Sequence, residues 1–214
     1  MTRLLAIFLV LAALVVVPFL VWGDWFETAF SLERTVESLR AAGSWAWLAG
    51  AGLLVADLFL PIPGTVVMSA LGLIYGWLIG GVVAALGWIA SGMLAYWLCR
   101  LLGRRVARYL AGEKGLAEGG RIFRAESGGW LVAMSRWMPV LPEVVACLAG
   151  LHRMPFGRFA GALCAGSVPM GFAFAWIGHA GAERPALALI LSAGVPPLIW
   201  GAFQLLQHRG FFSD

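Results

Sequence analysis

The sequence predicts an all-α integral membrane fold: about four full transmembrane helices plus two facing re-entrant helical hairpins in an inverted repeat. Three observations lead there. Of the 214 residues, 61% are hydrophobic and 12% charged, with mean hydropathy +0.88; the charged share is about half that of a soluble domain. The charges are also unevenly spread. Between Arg40 and Arg100 the only charged residue is Asp57, and Phe159 to Ala182 and Pro185 to His208 carry none. Such runs reach the roughly 20 residues that cross a bilayer core. Lastly, two apolar segments are each interrupted by a proline pair with ionisable residues beside it. They read Asp57-Leu58-Phe59-Leu60-Pro61-Ile62-Pro63-Gly64 and Arg136-Trp137-Met138-Pro139-Val140-Leu141-Pro142-Glu143. Proline removes a backbone donor and clashes with the preceding turn, so neither segment runs on as one helix. Broken, charged helices at membrane depth are tolerated where protein or a water-filled cavity shields them. A matched pair of them points to the binding site of a transporter built from inverted repeats.

The elements follow in chain order. Leu4 to Trp22 is an apolar run behind Arg3. It lacks the shorter apolar region and small-residue cleavage site of a signal peptide, so an uncleaved membrane helix is expected. Asp24 to Arg40 has Phe26, Ala29, Phe30 and Val36 at helical spacing, which predicts an amphipathic helix on the membrane surface. Residues 1–43 thus form an N-terminal unit. The core, residues 44–182, begins with Ser44 to Leu60, ending at the first proline pair; Pro63-Gly64 opens a second half-helix. Gly76 to Cys99 spans. Gly72, Gly76 and Gly80 repeat every fourth residue and, with Gly87, Ser91 and Gly92, are read as helix-packing positions. Arg100 to Glu126 is a polar, basic loop. Gly128 to Leu151 holds the second break, and Pro155 to Gly181 spans. Residues 183–214 supply a last span, Pro185 to Gln207, and a short tail.

Orientation follows from the basic residues. If both broken segments enter and leave on one side, Arg3, the seven basic residues from Arg100 to Arg124, Arg153, Arg158 and Arg209 all face inward. Only Arg34, Arg40 and Arg184 face outward, with Arg136 in the membrane. The first hairpin then enters from outside and the second from inside. That relation implies a pseudo-two-fold axis in the membrane plane. With the N-terminus cytoplasmic, as the basic residues favour, the C-terminus is cytoplasmic too, and the inner membrane is the expected location.

The stretch Asp57 to Phe159 resembles the DedA family, also called the VTT or SNARE-associated domain family. The resemblance rests on Asp57 ahead of Pro61-Ile62-Pro63-Gly64 and on Gly72-Leu73-Ile74-Tyr75-Gly76. Gly87, Ser91-Gly92, Tyr96, Arg100 and Arg136-Trp137-Met138-Pro139 follow, with Ala149-Gly150, Met154 and Phe159 at the end. It implies movement of lipids or lipid-linked phosphates, such as phospholipids or undecaprenyl phosphate, with proton coupling through hairpin carboxylates. The chain departs from many bacterial members in having Thr65 at an often acidic position. It also has Leu141-Pro142-Glu143 where a second arginine is common.

Each candidate residue carries two readings. Asp57 at membrane depth costs about 2.5–3.5 kcal/mol if left alone, and desolvation disfavours the charged form of an acid. It is either a proton-exchanging carboxyl or a structural cap. Arg136 either grips a phosphate with its planar fork or holds the hairpins together through Asp57 or Glu143. Glu143 is a coupling residue or an anchor. Pro61, Pro63, Pro139 and Pro142 shape the hairpins. Breaking the helix leaves free amides at Gly64 and Thr65 that attract an anion.

The expected partner is a membrane lipid with a phosphate headgroup, in a monomer or homo-oligomer. A proton- or sodium-coupled carrier of a small solute, and a non-transporting membrane scaffold, are the alternatives. No nucleophile–base set, His-x-x-x-His spacing or phosphate loop occurs, so neither enzyme activity, metal nor other cofactor is expected. The basic balance is read as orientation bias, not nucleic-acid binding. Cys99, Cys147 and Cys164 are read as small packing residues. His152, His179 and His208 are read as structural.

Overall fold

The computed structural model describes residues 31–60, 62–124, 127–138 and 141–183, with residues 102–120, 122, 124, 141, 182 and 183 described by backbone alone. The two expected terminal spans, Leu4 to Trp22 and Pro185 to Gln207, lie outside the described residues, as do Asp24 to Phe30, Pro61 and Pro139. All regular structure among the described residues is helical.

Helix α1, Leu32–Ala41, starts at Ser31, whose hydroxyl accepts from the Arg34 amide. Glu33 in its first turn and Arg40 in its last complement the helix dipole. Its inner face buries Thr35, Val36 and Leu39. A 3-10 turn at Gly43–Trp45 redirects the chain by 119° into α2, Ala46–Ala56. Asp57 caps α2, and the amides of residues 57 to 60 fold back onto the Leu53, Val55 and Ala56 carbonyls. The chain restarts at Pro63, whose carbonyl accepts from the Val66 and Val67 amides.

Helix α3, Gly64–Arg124, has 61 residues; run straight, it would measure about 92 Å. It does not run straight. Gly76 has φ +78°, a left-handed conformation that only glycine adopts without cost, and there the chain reverses. A Cβ on Gly80 would stand 2.6 Å from the Leu71 carbonyl oxygen, and one on Gly64 would stand 2.7 Å from the Trp88 ring. Residues 64–75 therefore lie antiparallel to 77–88. Residue 87 in turn packs on Ala51 and Leu54 of α2. The three segments enclose a core of Leu54, Val67, Met68, Leu71, Ala84 and Trp88. The glycine spacing that reads as packing alone serves two ends: Gly72 and Gly80 permit close approach, while Gly76 makes the corner.

Gly76→Ala is expected to cost about 1–2 kcal/mol, because an L side chain is strained at positive φ. Gly52, exposed in mid-α2 with open space around it, should respond oppositely. Gly52→Ala is expected to stabilise by about 0.5–1 kcal/mol. Thermal unfolding of the two variants in detergent checks the opposed signs.

A second set of helices follows. Helix α4, Ser127–Ser135, ends in a turn where the Trp137 and Met138 amides bond the Met134 and Ser135 carbonyls. Helix α5, Leu141–Leu151, ends at Arg153, whose φ is +53°. The Arg153 amide donates to Gly150 and the Met154 amide to Ala149. This is a Schellman ending, with arginine where glycine is usual. The reversal is pinned from α3: the Tyr96 hydroxyl donates to the Met154 carbonyl at 2.6 Å, and Arg100 donates to that carbonyl and to the Tyr96 hydroxyl oxygen.

Helix α6, Phe156–Glu183, runs antiparallel to the part of α3 after Gly76. Phe159 stacks on Tyr96 with centroids 4.3 Å apart, Leu163 meets Gly92, and Gly171 meets Ala85. Further along, Ala175 meets Gly72 and Gly178 meets Ser69 backbone to backbone, so α6 also seals the arm before Gly76.

Among the described residues two helices are long and apolar enough to cross a membrane by length and composition, Gly64–Leu101, counted through its corner at Gly76, and Phe156–Gly181. They contain the expected spans Gly76 to Cys99 and Pro155 to Gly181. Two readings are corrected. The basic stretch after Arg100 is helical in backbone up to Arg124 rather than a loop. Cys99 and Cys147 are joined as a disulfide with Cα atoms 5.1 Å apart, because Gly150, one turn beyond Cys147 on α5, lets its backbone press against Tyr96. Cys164 is free.

Candidate functional site

The site is built around the least expected object in an apolar interior, an arginine with 1% of its surface exposed. Arg136 is the first residue past α4. Its stem passes Gly166 of α6, where a Cβ would stand 2.9 Å from Cγ. Its head reaches Gly92 of α3, where a Cβ would stand 2.7 Å from Nη2. Two glycines thus open the slot that admits a guanidinium. The Trp88 ring lies beneath it, 5.8 Å from Cζ to centroid, within reach of a cation–π attraction.

A buried charge normally survives by pairing. Arg136 does so only in part. Nη2 donates to the Pro142 carbonyl at 3.2 Å, while Nε and Nη1 have no hydrogen-bond partner among the described residues. Among the described residues no carboxylate accepts from this guanidinium, and its one hydrogen bond is to the Pro142 carbonyl. Buried Pro142, in the first turn of α5, thus positions Arg136 as well as following the break.

Glu143 stands in the first turn of α5, with Oε1 buried and without a donor. Its carboxylate lies within electrostatic reach of both Arg136 and Asp57. Asp57 sits at the end of α2, half-buried, facing the Ile62 amide. A Cβ on buried Gly64 would stand 3.3 Å from Asp57 Oδ2 and 2.7 Å from Trp88 Cζ3. Trp88 therefore touches both sides of the site, with its benzene edge toward Gly64 and its face toward Arg136. Half-buried Thr65 follows Gly64, and the amides of both precede the first helical bonds of α3. Pro63, half-buried, supplies the carbonyl that starts that helix.

The expected residues thus converge from both broken segments: Asp57, Pro63, Gly64 and Thr65 from the first, Arg136, Pro142 and Glu143 from the second. Asp57 and Arg136 do not meet directly. Glu143 and Trp88 lie between their influence. Four participants were not singled out by sequence as site residues. Gly92 and Gly166 open the slot, Trp88 floors it, and Ser167, fully buried beside Gly166, has an unpartnered hydroxyl. Trp88 is one of eleven tryptophans, and nothing in its neighbours marks it. Gly92 and Gly166 read like any other packing glycine.

A family model described as the VTT domain matches residues 62–180, more than half of the chain. Comparison with curated proteins and with solved structures gave no match. The matched stretch takes in Arg136 and Glu143 and begins five residues after Asp57.

Proposed function

The chain belongs to the VTT domain family and is a multi-pass membrane protein, and from that premise we propose that it flips a phosphate-headgroup lipid, such as a phospholipid or undecaprenyl phosphate, across the bacterial inner membrane. One observation carries the reading: a guanidinium 1% exposed, with Nε and Nη1 unused and no carboxylate bonded to it among the described residues. A planar fork with free N–H groups suits phosphate oxygens, which accept two parallel bonds. The headgroup enters the slot between the hairpins while its tails stay in lipid.

The chain path supports a site reached from both faces. Helix, break, helix, left-handed corner and long helix occur twice. The corners, Gly76 and Arg153, are 77 positions apart (76 to 153). The same step carries Gly64, the start of α3, onto Leu141, the start of α5. In the proposed fold each unit is a re-entrant hairpin followed by a full span, and the two are inverted in the membrane with both termini cytoplasmic. Twelve residues separate Gly76 from Trp88, about 18 Å of helix. A hairpin tip at that depth lies near the middle of a core about 30 Å thick.

Glu143 and Asp57 supply the coupling in this scheme. A bound phosphate neutralises Arg136; when it leaves, ionised Glu143 balances the cation, and protons move through Glu143 and Asp57 as occupancy changes. Asp57→Asn and Glu143→Gln are therefore expected to keep downhill lipid movement but lose acceleration by an imposed pH gradient. Reconstituted vesicles with and without the gradient check this. A gradient response equal to that of the unmodified protein in both variants would remove the coupling role.

A further inference from the structure

Three side chains around the slot carry buried donors with no partner among the described residues, and only one of the three is the arginine. The Trp88 indole Nε1 and the Ser167 Oγ are both buried without a hydrogen bond, as are Arg136 Nε and Nη1. Trp88 is 5% exposed and Ser167 fully buried. An unmet buried donor is unfavourable, because its hydration is lost without replacement. Three unmet donor side chains on neighbouring positions of α3, α6 and the second broken segment point to a missing acceptor.

Their placement is specific. Trp88 precedes Gly92 by one helical turn on α3, and Gly92 is the position against Arg136 Nη2. Ser167 follows Leu163 by one turn on α6 and adjoins Gly166; these two pack against Gly92 and the Arg136 stem. The guanidinium itself lies over the Trp88 ring. Two long helices thus each carry one unpartnered neutral donor on a turn that packs about Arg136.

We propose that Trp88 and Ser167 complete an oxyanion cradle with Arg136: the indole N–H and the serine hydroxyl each donate to a phosphate oxygen that the guanidinium does not take. The proposal rests on the phosphate reading of Arg136 and adds two specificity-determining residues to it. A terminal phosphate has three non-bridging oxygens, so two can meet the arginine fork while a third remains for the indole and the hydroxyl; a carboxylate has only the two oxygens that the fork takes up, leaving their outer lone pairs. The cradle therefore favours phosphate over carboxylate headgroups. Its donors come from α3 and α6, so an anion seated in it links the two long helices through the second hairpin.

The test uses the full chain in detergent and short-chain dihexanoyl phosphatidic acid as probe, with a dihexanoyl glycerol hemisuccinate as the carboxylate control. Binding is followed by calorimetry. Trp88→Phe keeps a ring beneath Arg136 and deletes the N–H; Ser167→Ala deletes only the hydroxyl. Each is expected to weaken phosphatidic acid about tenfold, the usual range for one bond to a charged group, with little change for the hemisuccinate. Ser167→Ala removes a single oxygen, so its result stands even if Trp88→Phe fails to fold. Unchanged phosphate binding in a folded variant, or equal weakening of both probes, overturns the cradle. Arg136→Ala separates this from the parent reading. If it binds phosphatidic acid like the unmodified chain, the phosphate role of Arg136 falls; if it alone loses binding, only the cradle does.

Discussion

Arg136→Met is expected to stop lipid translocation without lowering thermal stability. Two hydrogen bonds from a guanidinium to a charged acceptor contribute about 3–6 kcal/mol together, so the flux should fall by more than about 100-fold, to the level of protein-free vesicles. Stability separates function from structure here. Removing one partner of a buried ion pair typically costs about 3–5 kcal/mol, because the other charge is left uncompensated. Arg136 bonds no carboxylate among the described residues, only the Pro142 carbonyl. Glu143, which faces it electrostatically, can take up a proton once the cation is gone, as a buried unpaired acid does. Methionine fills the slot beside Gly92 and Gly166. An unfolding temperature equal to or above that of the unmodified chain, with no flux, is the expected pair of results. A marked loss of stability would make Arg136 a structural strut.

The second large effect lies far from the charge. A Cβ on Gly72 would fall onto the Ala175 carbonyl, and one on Gly178 onto the Ser69 carbonyl. Both obstacles are backbone, so no rotamer change relieves them. In a membrane, where lipid tails are as apolar as the helix, such close approach is what holds helices together. Gly72→Val or Gly178→Val must push α6 away from the arm of α3 before Gly76. More than about 3 kcal/mol of lost stability is expected, beyond ordinary overpacking. Size-exclusion profiles and thermal unfolding in detergent check it. A monodisperse protein of unchanged stability would show that the two helices do not touch there.

Much of this was legible in the residues. The two proline pairs mark the breaks, where two prolines fall together beside charge; a lone proline does not suffice, since Pro169 lies inside α6, which continues past it. Asp57, Arg136 and Glu143 are conspicuous because charge is otherwise absent around them. What stayed hidden depends on which faces meet. Gly76 and Gly72 look alike in sequence, yet one is a corner and the other a contact. Arg153 occupies a left-handed corner that glycine usually marks, so the second reversal carries no composition signal. Cys99 and Cys147 lie 48 residues apart, and only the approach of α5 to α3 reveals their pairing. Trp88 joins the two halves of the site through its ring geometry, which no spacing encodes. Residues 31–43 show the same limit. The helical spacing read over Asp24 to Arg40 takes in α1 from Leu32 onward, while the 119° bend into α2 depends on Gly43, whose φ of +56° is a property of the fold.

The most direct test is a high-resolution map of the full chain in nanodiscs of phosphate-headgroup lipid. The account predicts tetrahedral headgroup density against Arg136 Nε and Nη1, between Gly92 and Gly166, with Glu143 drawn back from the guanidinium. A carboxylate of Glu143 or Asp57 clamped on Arg136, with no lipid between the helices, would contradict it.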